Sequence, residues 1–394
     1  MSAPKTLYFD HNATTPVDPR VLEVMLPYFM EQFGNSMSLN YSFGWQAESA
    51  VETARRQVSQ ALGCEPKEIT FTSGATEANN WAIEGICEMI RADEGPGARI
   101  HLLVSPVEHK SVLQSAERAV RVFGAELEYI PVNAHGQVVV SELEKRIQPH
   151  TRLVSVMWVN NEIGSINPIL EIARLCHDKK VYLHSDATQA LGKIPVDLQN
   201  VPVDLLSFSA HKLSGPKGVG FLFLRSKSPK VALPAMMCGG GHERGLRSGT
   251  LNVPGIVGLG KAVEIARLEG EAEQSRLRAL RDFMWNQLHA SFPQARLNGH
   301  PTERSPNNLN ITFKGTRVPA ALKGLAVSRG SACHSGGTST SHVLSALGLS
   351  ESEAGQTLRI TLGRTTTDAD VLEAVGLLKS QIQTSSTPAP TASL

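Results

Sequence analysis

Ser207-Phe208-Ser209-Ala210-His211-Lys212 is a short strand-like run that ends in a lysine, and His184-Ser185-Asp186-Ala187-Thr188-Gln189 precedes it. A lysine that can form a Schiff base, preceded in an α/β chain by an aspartate that can pair with a pyridinium nitrogen, is the minimum equipment for holding pyridoxal phosphate (PLP). A third run, Ser328-Arg329-Gly330-Ser331-Ala332-Cys333-His334-Ser335-Gly336-Gly337, sets one cysteine in a loop of small residues. Together the three runs read as an enzyme and not as a binding module.

Outward from these runs, strand and helix patterns alternate. Apolar residues recur at helical spacing from Gln46 to Leu62, and the strand-like Glu68-Ile69-Thr70-Phe71-Thr72 follows. Further strands are expected at His101–Ser105, Glu126–Pro131, Arg152–Val159, Val181–Ser185, Asp204–Phe208 and Val219–Leu224, most of them separated by enough chain for a crossover helix. This predicts an α/β fold with a mostly parallel sheet covered by helices on both faces. A long helical pattern from about Val257 through Gln287 leaves that unit. Strands at Leu309–Phe313 and Leu358–Leu362, with helices near Val318–Leu325 and Ser341–Leu347, suit a smaller α+β domain. The expected division is a large domain over 16–261, a small domain over 1–15 plus 262–383 that carries the cysteine loop at about 328–340, and a disordered tail over 384–394.

Composition narrows the function classes. The 394 residues allow two domains, and 38 Lys plus Arg against 37 Asp plus Glu leave no global field for nucleic acid or an anionic membrane. The five cysteines form no Cys-x-x-Cys pair, which predicts reduced thiols in a cytoplasmic setting and no metal site. Cys64, Cys87, Cys176 and Cys238 read as buried apolar cysteines, whereas Cys333 does not. No signal-peptide h-region follows Met1, and no run of apolar residues is long enough to span a bilayer, so a soluble protein is expected.

Two glycine-rich runs need a separate reading. Ser73-Gly74-Ala75-Thr76-Glu77 follows a strand and opens a helix, so its backbone N–H groups and hydroxyls offer an anion site. Gly255-Ile256-Val257-Gly258-Leu259-Gly260-Lys261 approaches a Walker A pattern, but Ala262 stands where the hydroxyl residue belongs, and a helix start is expected instead.

At this point the chain resembles, over almost its whole length, the PLP-dependent cysteine desulfurases of the NifS/IscS type in the class V aminotransferase family. The resemblance is carried in family order by Tyr8–Pro16, Phe43–Glu48, Thr72–Glu77, Val159–Gly164, Asp186–Gln189, Ser209–Lys212, Gly239–Thr250 and Arg359–Arg364. It implies the type I PLP-dependent transferase fold, with a seven-stranded, mostly parallel sheet in the large domain. Lys212 would bind PLP and shuttle the substrate Cα proton, Asp186 would pair with the ring nitrogen, and Gln189 would donate to the ring oxygen. His109 would stack on the ring and assist proton transfer. Ala75, Thr76, Ser209 and His211 would bind the phosphate, and Thr250 would reach the site of a partner subunit in a homodimer. Asn161, also beside the cofactor, would fix the substrate with Asn12 and Arg359, whose guanidinium suits a carboxylate.

Cys333 decides between reactions, since its thiolate would attack the sulfur of bound L-cysteine, keep it as a persulfide and leave L-alanine. The sulfur would then pass to an iron–sulfur scaffold or another acceptor protein. The run Cys333-His334-Ser335 is also similar to that of selenocysteine lyases, which is one alternative; a class V aminotransferase with no use for Cys333 is another.

Overall fold

A computed structural model describes residues 6–329 and 341–384. Its large sheet has seven strands, in chain order β1 (Ile69–Thr72), β2 (His101–Val104), β3 (Glu126–Tyr129), β4 (Thr151–Ser155), β5 (Tyr182–Asp186), β6 (Leu205–Ser209) and β7 (Gly220–Leu224). Their spatial order is β1-β7-β6-β5-β4-β2-β3, and β7 alone runs antiparallel to its neighbours. The expected mostly parallel sheet is therefore present.

Strand alternation sends successive apolar residues of these segments to opposite faces of the sheet. Leu103, Val154, Leu206, Phe221 and Phe223 face one buried cluster with the Ser42–Leu62 and Ile169–Asp178 helices. Their chain neighbours Leu102, Leu153, Leu205, Leu222 and Leu224 face the opposite cluster, with the Ala75–Glu94 and Lys110–Phe123 helices. A sheet covered on both faces needs apolar residues at every position, not at every second one.

The 39-residue helix Val253–Ser291 connects this sheet to a second core. Its first turns place Val253, Ile256, Leu259 and Val263 in the large-sheet cluster. Leu277, Leu280, Met284 and Leu288 pack instead with Leu7, Phe9 and a four-stranded antiparallel sheet ordered Ser328–Arg329, Thr357–Thr361, Asn308–Phe313, Ala295–Leu297. The Walker-like glycines lie inside this helix for packing reasons. A Cβ on Gly258 would come within 2.5 Å of Met25 Sδ, and one on Gly260 within 2.7 Å of Ala54 Cα.

Two sequence expectations are corrected. Val318–Leu325 is not helical: Pro319 disfavours helical backbone at Val318, Gly324 has φ +74°, and Leu325–Ala326 pairs parallel with Leu7–Tyr8. The Gln381 side chain takes both backbone groups of Lys323, and Val318 and Leu325 still reach the second core. Cys238 is exposed and Cys64 only partly covered, while Cys87 and Cys176 are buried. The Ala-Met-Met run before Cys238 lies in an irregular segment outside any helix, so apolar neighbours in sequence do not cover it.

A buried ion pair fastens the Gly239–Thr250 segment to the sheet edge. Both guanidinium ends of Arg55 meet the Glu243 carboxylate at 2.8 and 2.9 Å; Arg55 also donates to Ile69 O, and Glu243 accepts from the Phe71 N–H. Glu243→Ala strands a buried cation and is expected to lower unfolding free energy by about 3–5 kcal/mol, measured by urea titration. A variant as stable as the parent would contradict this.

Candidate active site

The carboxyl ends of the parallel strands, where ligands of open α/β sheets bind, border a cleft of about 880 Å³. Eleven of the thirteen residues singled out from sequence line it: Asn12, Ala75, Thr76, His109, Asn161, Asp186, Gln189, Ser209, His211, Lys212 and Arg359. Thr250 is exposed and does not line it. Cys333 lies outside the described residues. The described ends of its segment, Ser328–Arg329 and Ser341–His342, both line the cleft.

One end of the cleft is built for an anion. Gly74, with φ +150°, opens the Ala75–Glu94 helix without a side-chain cap, leaving the first backbone N–H groups toward the cavity beside Ser209 and His211. A Cβ on Gly220, which starts β7, would come within 2.7 Å of Gly74 Cα, so glycine at both positions lets the turn sit against the sheet. The Ser73 hydroxyl donates to Glu77 Oε2 at 2.5 Å, leaving Thr76 as the hydroxyl residue of that run for the anion. His211 is pushed down to about 4 by burial and then by Lys212, Lys217 and Lys193.

At the floor, Asp186 closes β5 with both carboxylate oxygens held: Oδ2 accepts from Asn79 Nδ2 and Oδ1 from the Thr188 N–H, each at 2.9 Å. Asn79 Nδ2 also donates to Ser111 Oγ at 2.9 Å, and Ser111 Oγ lies 2.8 Å from His109 Nδ1. That nitrogen accepts the Ser111 N–H, so the Ser111 hydroxyl is its donor and His109 carries its proton on Nε2. His109 is both a helix cap and open to the cleft; protein crowding on its other sides lowers its pKa, against the opposing pull of Asp186. Beside it, the carboxyl of fully buried Glu108 is pushed well above the usual carboxylate range by burial and by neighbouring Asp186, against the Met157 N–H.

Lys212 follows β6 in a tight turn, and its Nζ donates to Asn12 O at 2.8 Å and Ala13 O at 2.6 Å. The Asn12 amide has protein partners at both ends, donating to Asn161 O and accepting from Lys193 and Asn307. Arg359 binds Asp10 Oδ1 at 2.8 Å and Ser328 Oγ at 2.9 Å, while its Nε is buried without a partner. An uncapped helix start, a fixed carboxylate, a lysine amine and a cluster of cations in one cleft match the phosphate, ring nitrogen, aldehyde and anionic oxygens of PLP. Among the described residues no His/Cys/Asp/Glu cluster suits a metal, and no helix is long and apolar enough to cross a membrane.

Asn79, Glu108 and Lys193 were not singled out from the sequence. An asparagine in mid-helix, a glutamate before a histidine and a lysine after a glycine carry no distinctive spacing.

The family model for aminotransferase class-V matches residues 7–373. Cysteine desulfurase IscS of Anaeromyxobacter sp. (strain Fw109-5) is 47% identical over 380 residues, covering 96% of this chain and 92% of that protein. Human cysteine desulfurase is 45% identical over 370 residues, covering 93% and 79%. A solved NifS-like protein superimposes with a TM-score of 0.85 at 36% identity, covering 95% of this chain and 98% of that one. The chain thus belongs to the class V aminotransferases and, within them, to the PLP-dependent cysteine desulfurases.

Proposed function

We infer that this desulfurase moves the sulfur of L-cysteine onto Cys333. The observation that carries the reading is that both described ends of the Cys333 segment border the cleft holding Lys212, Asp186 and Arg359. Bound there, PLP supplies the electron sink that makes the substrate Cα proton acidic and the C–S bond labile. Arg359 grips the substrate carboxylate, with Asn161 and Asn12 shaping that wall. Asp186 pairs with the ring nitrogen, Gln189 with the ring oxygen, and Ala75, Thr76, Ser209 and His211 with the phosphate. Lys212 would hold the cofactor and move the Cα proton, with His109 beside it.

The Cys333 thiolate attacks the substrate sulfur as the Cβ–S bond breaks. Carbon keeps the bonding pair and takes a proton, giving L-alanine, and Cys333 keeps the sulfur as a persulfide for an iron–sulfur scaffold or another acceptor. Free thiols on Cys64, Cys87, Cys176 and Cys238 support a reducing, cytoplasmic setting. The Cys333-His334-Ser335 run favours one second reading, a selenocysteine lyase. Alanine with sulfide from L-cysteine, assayed beside selenide from L-selenocysteine, separates the two: turnover of L-selenocysteine alone would overturn the first.

A homodimer completes the site, with Thr250 reaching the partner's phosphate. Support comes from an apolar surface at Leu26, Phe29, Met30, Phe33, Phe43 and Trp45, each between 42% and 73% exposed, more than single scattered residues account for. Met30→Glu with Phe33→Glu is expected to give monomers in sedimentation velocity and to weaken PLP retention. An unchanged dimer would remove this patch from the interface.

A further inference from the structure

Lys193 is buried behind the cleft, and the reaction as derived gives it no task. Gly192 before it has φ +79°, and a Cβ there would strike Leu213 Cδ1, so only glycine makes this turn and sends the lysine inward. Lys193 Nζ donates to Asn12 Oδ1 at 3.0 Å and to Gln189 Oε1. Among the described residues it forms no ion pair with a carboxylate. The charged groups facing it, Lys212 and Arg359, are cations, and with burial, the largest cause, they push Lys193 down to about 7. His11 and His211, which also feel it, are each pushed down to about 4 and so stay neutral, and Asp10 is bound by Arg359. A buried ammonium without an anion is costly and is retained where an anion arrives.

The same contact fixes an orientation. With its oxygen against the ammonium, the Gln189 amide turns its N–H side the other way, where Nε2 donates to Asn12 O at 3.1 Å at the edge of the cleft.

We propose that Lys193 is a positioning residue for the cofactor: it locks Gln189 as a donor toward the anionic ring oxygen and supplies the buried positive charge that balances that oxygen. The proposal rests on the PLP reading of the cleft given above.

The test uses full-length protein stripped of and reloaded with PLP, and compares Lys193→Met, Lys193→Gln and Lys193→Arg with the parent and with Lys212→Ala. The readouts are the PLP dissociation constant and the pH midpoint of the visible band, with thermal midpoints recorded to confirm folding. Either neutral variant is expected to bind PLP roughly tenfold more weakly, the scale of one lost charged hydrogen bond. The same variants raise the pH midpoint by about one unit, because a nearby like charge is removed. Lys193→Arg, which keeps the charge, restores most of the midpoint. Lys193→Met also has a smaller effect in a Gln189→Ala background, because the two side chains act through one contact. A folded neutral variant with parental affinity and midpoint overturns the proposal. A parent that shows no visible band, or a band that survives in Lys212→Ala, overturns the PLP reading instead.

Discussion

Lys212→Ala is expected to lose the visible band of lysine-bound PLP and to lower turnover by about five to six orders of magnitude, the scale of removing a covalent catalytic side chain. The structure gives the reason. Lys212 is the lysine that the turn after β6 places in the cleft with the Asp186 carboxylate, and its amine rests on two backbone carbonyls, Asn12 O and Ala13 O. Lys193 cannot take over, because Asn12 and Gln189 hold its ammonium. The fold survives the change, since Lys212 belongs to none of the buried apolar clusters. Absorbance, far-ultraviolet circular dichroism and alanine release measure the three parts. Normal turnover in the variant would remove Lys212 from the chemistry.

Cys333→Ala is expected to keep PLP and the visible band while sulfide and alanine formation from L-cysteine fall by roughly a thousandfold or more. The asymmetry between the two variants is diagnostic. On the proposed reading Lys212 serves every reaction of this family, whereas Cys333 serves only the transfer of sulfur, so an aminotransferase would lose activity in the first variant and keep it in the second. The other thiols give no ready substitute. Burial pushes the Cys64 and Cys87 thiols up to about 12 and raises Cys176 further, so none of these is a ready thiolate. Cys238 is exposed, but it does not line the cleft.

The large sheet was legible because both of its faces are covered. Apolar runs such as Phe221–Leu224 stand out in the sequence, and strand ends fall within a few residues of expectation. The second core was harder. The apolar spacing of Val318–Leu325 matches a helix, yet Pro319, Gly324 and the strand at Leu7–Tyr8 draw the segment into an extended path. At the site, Asp186 and Lys212 could be picked out because one closes a strand and the other follows the next strand by three residues, each within a short motif. Lys193, four residues after Gln189, reads as an ordinary surface lysine until Gly192 and Leu213 are seen to turn it inward. Glu108 and Asn79 act through contacts to residues distant in sequence, Met157 for the first and Ser111 and Asp186 for the second, and no local spacing encodes those.

The central claim, that sulfur passes through Cys333, is tested most directly in a single turnover without reductant. Limiting L-cysteine is mixed with enzyme, alanine is counted, and the persulfide is mapped by mass spectrometry of alkylated peptides. The account predicts one persulfide sulfur on Cys333 for each alanine, none on Cys238, and no alanine from Cys333→Ala. Alanine formed at the parental rate by Cys333→Ala, or a persulfide mapped to Cys238, would contradict it.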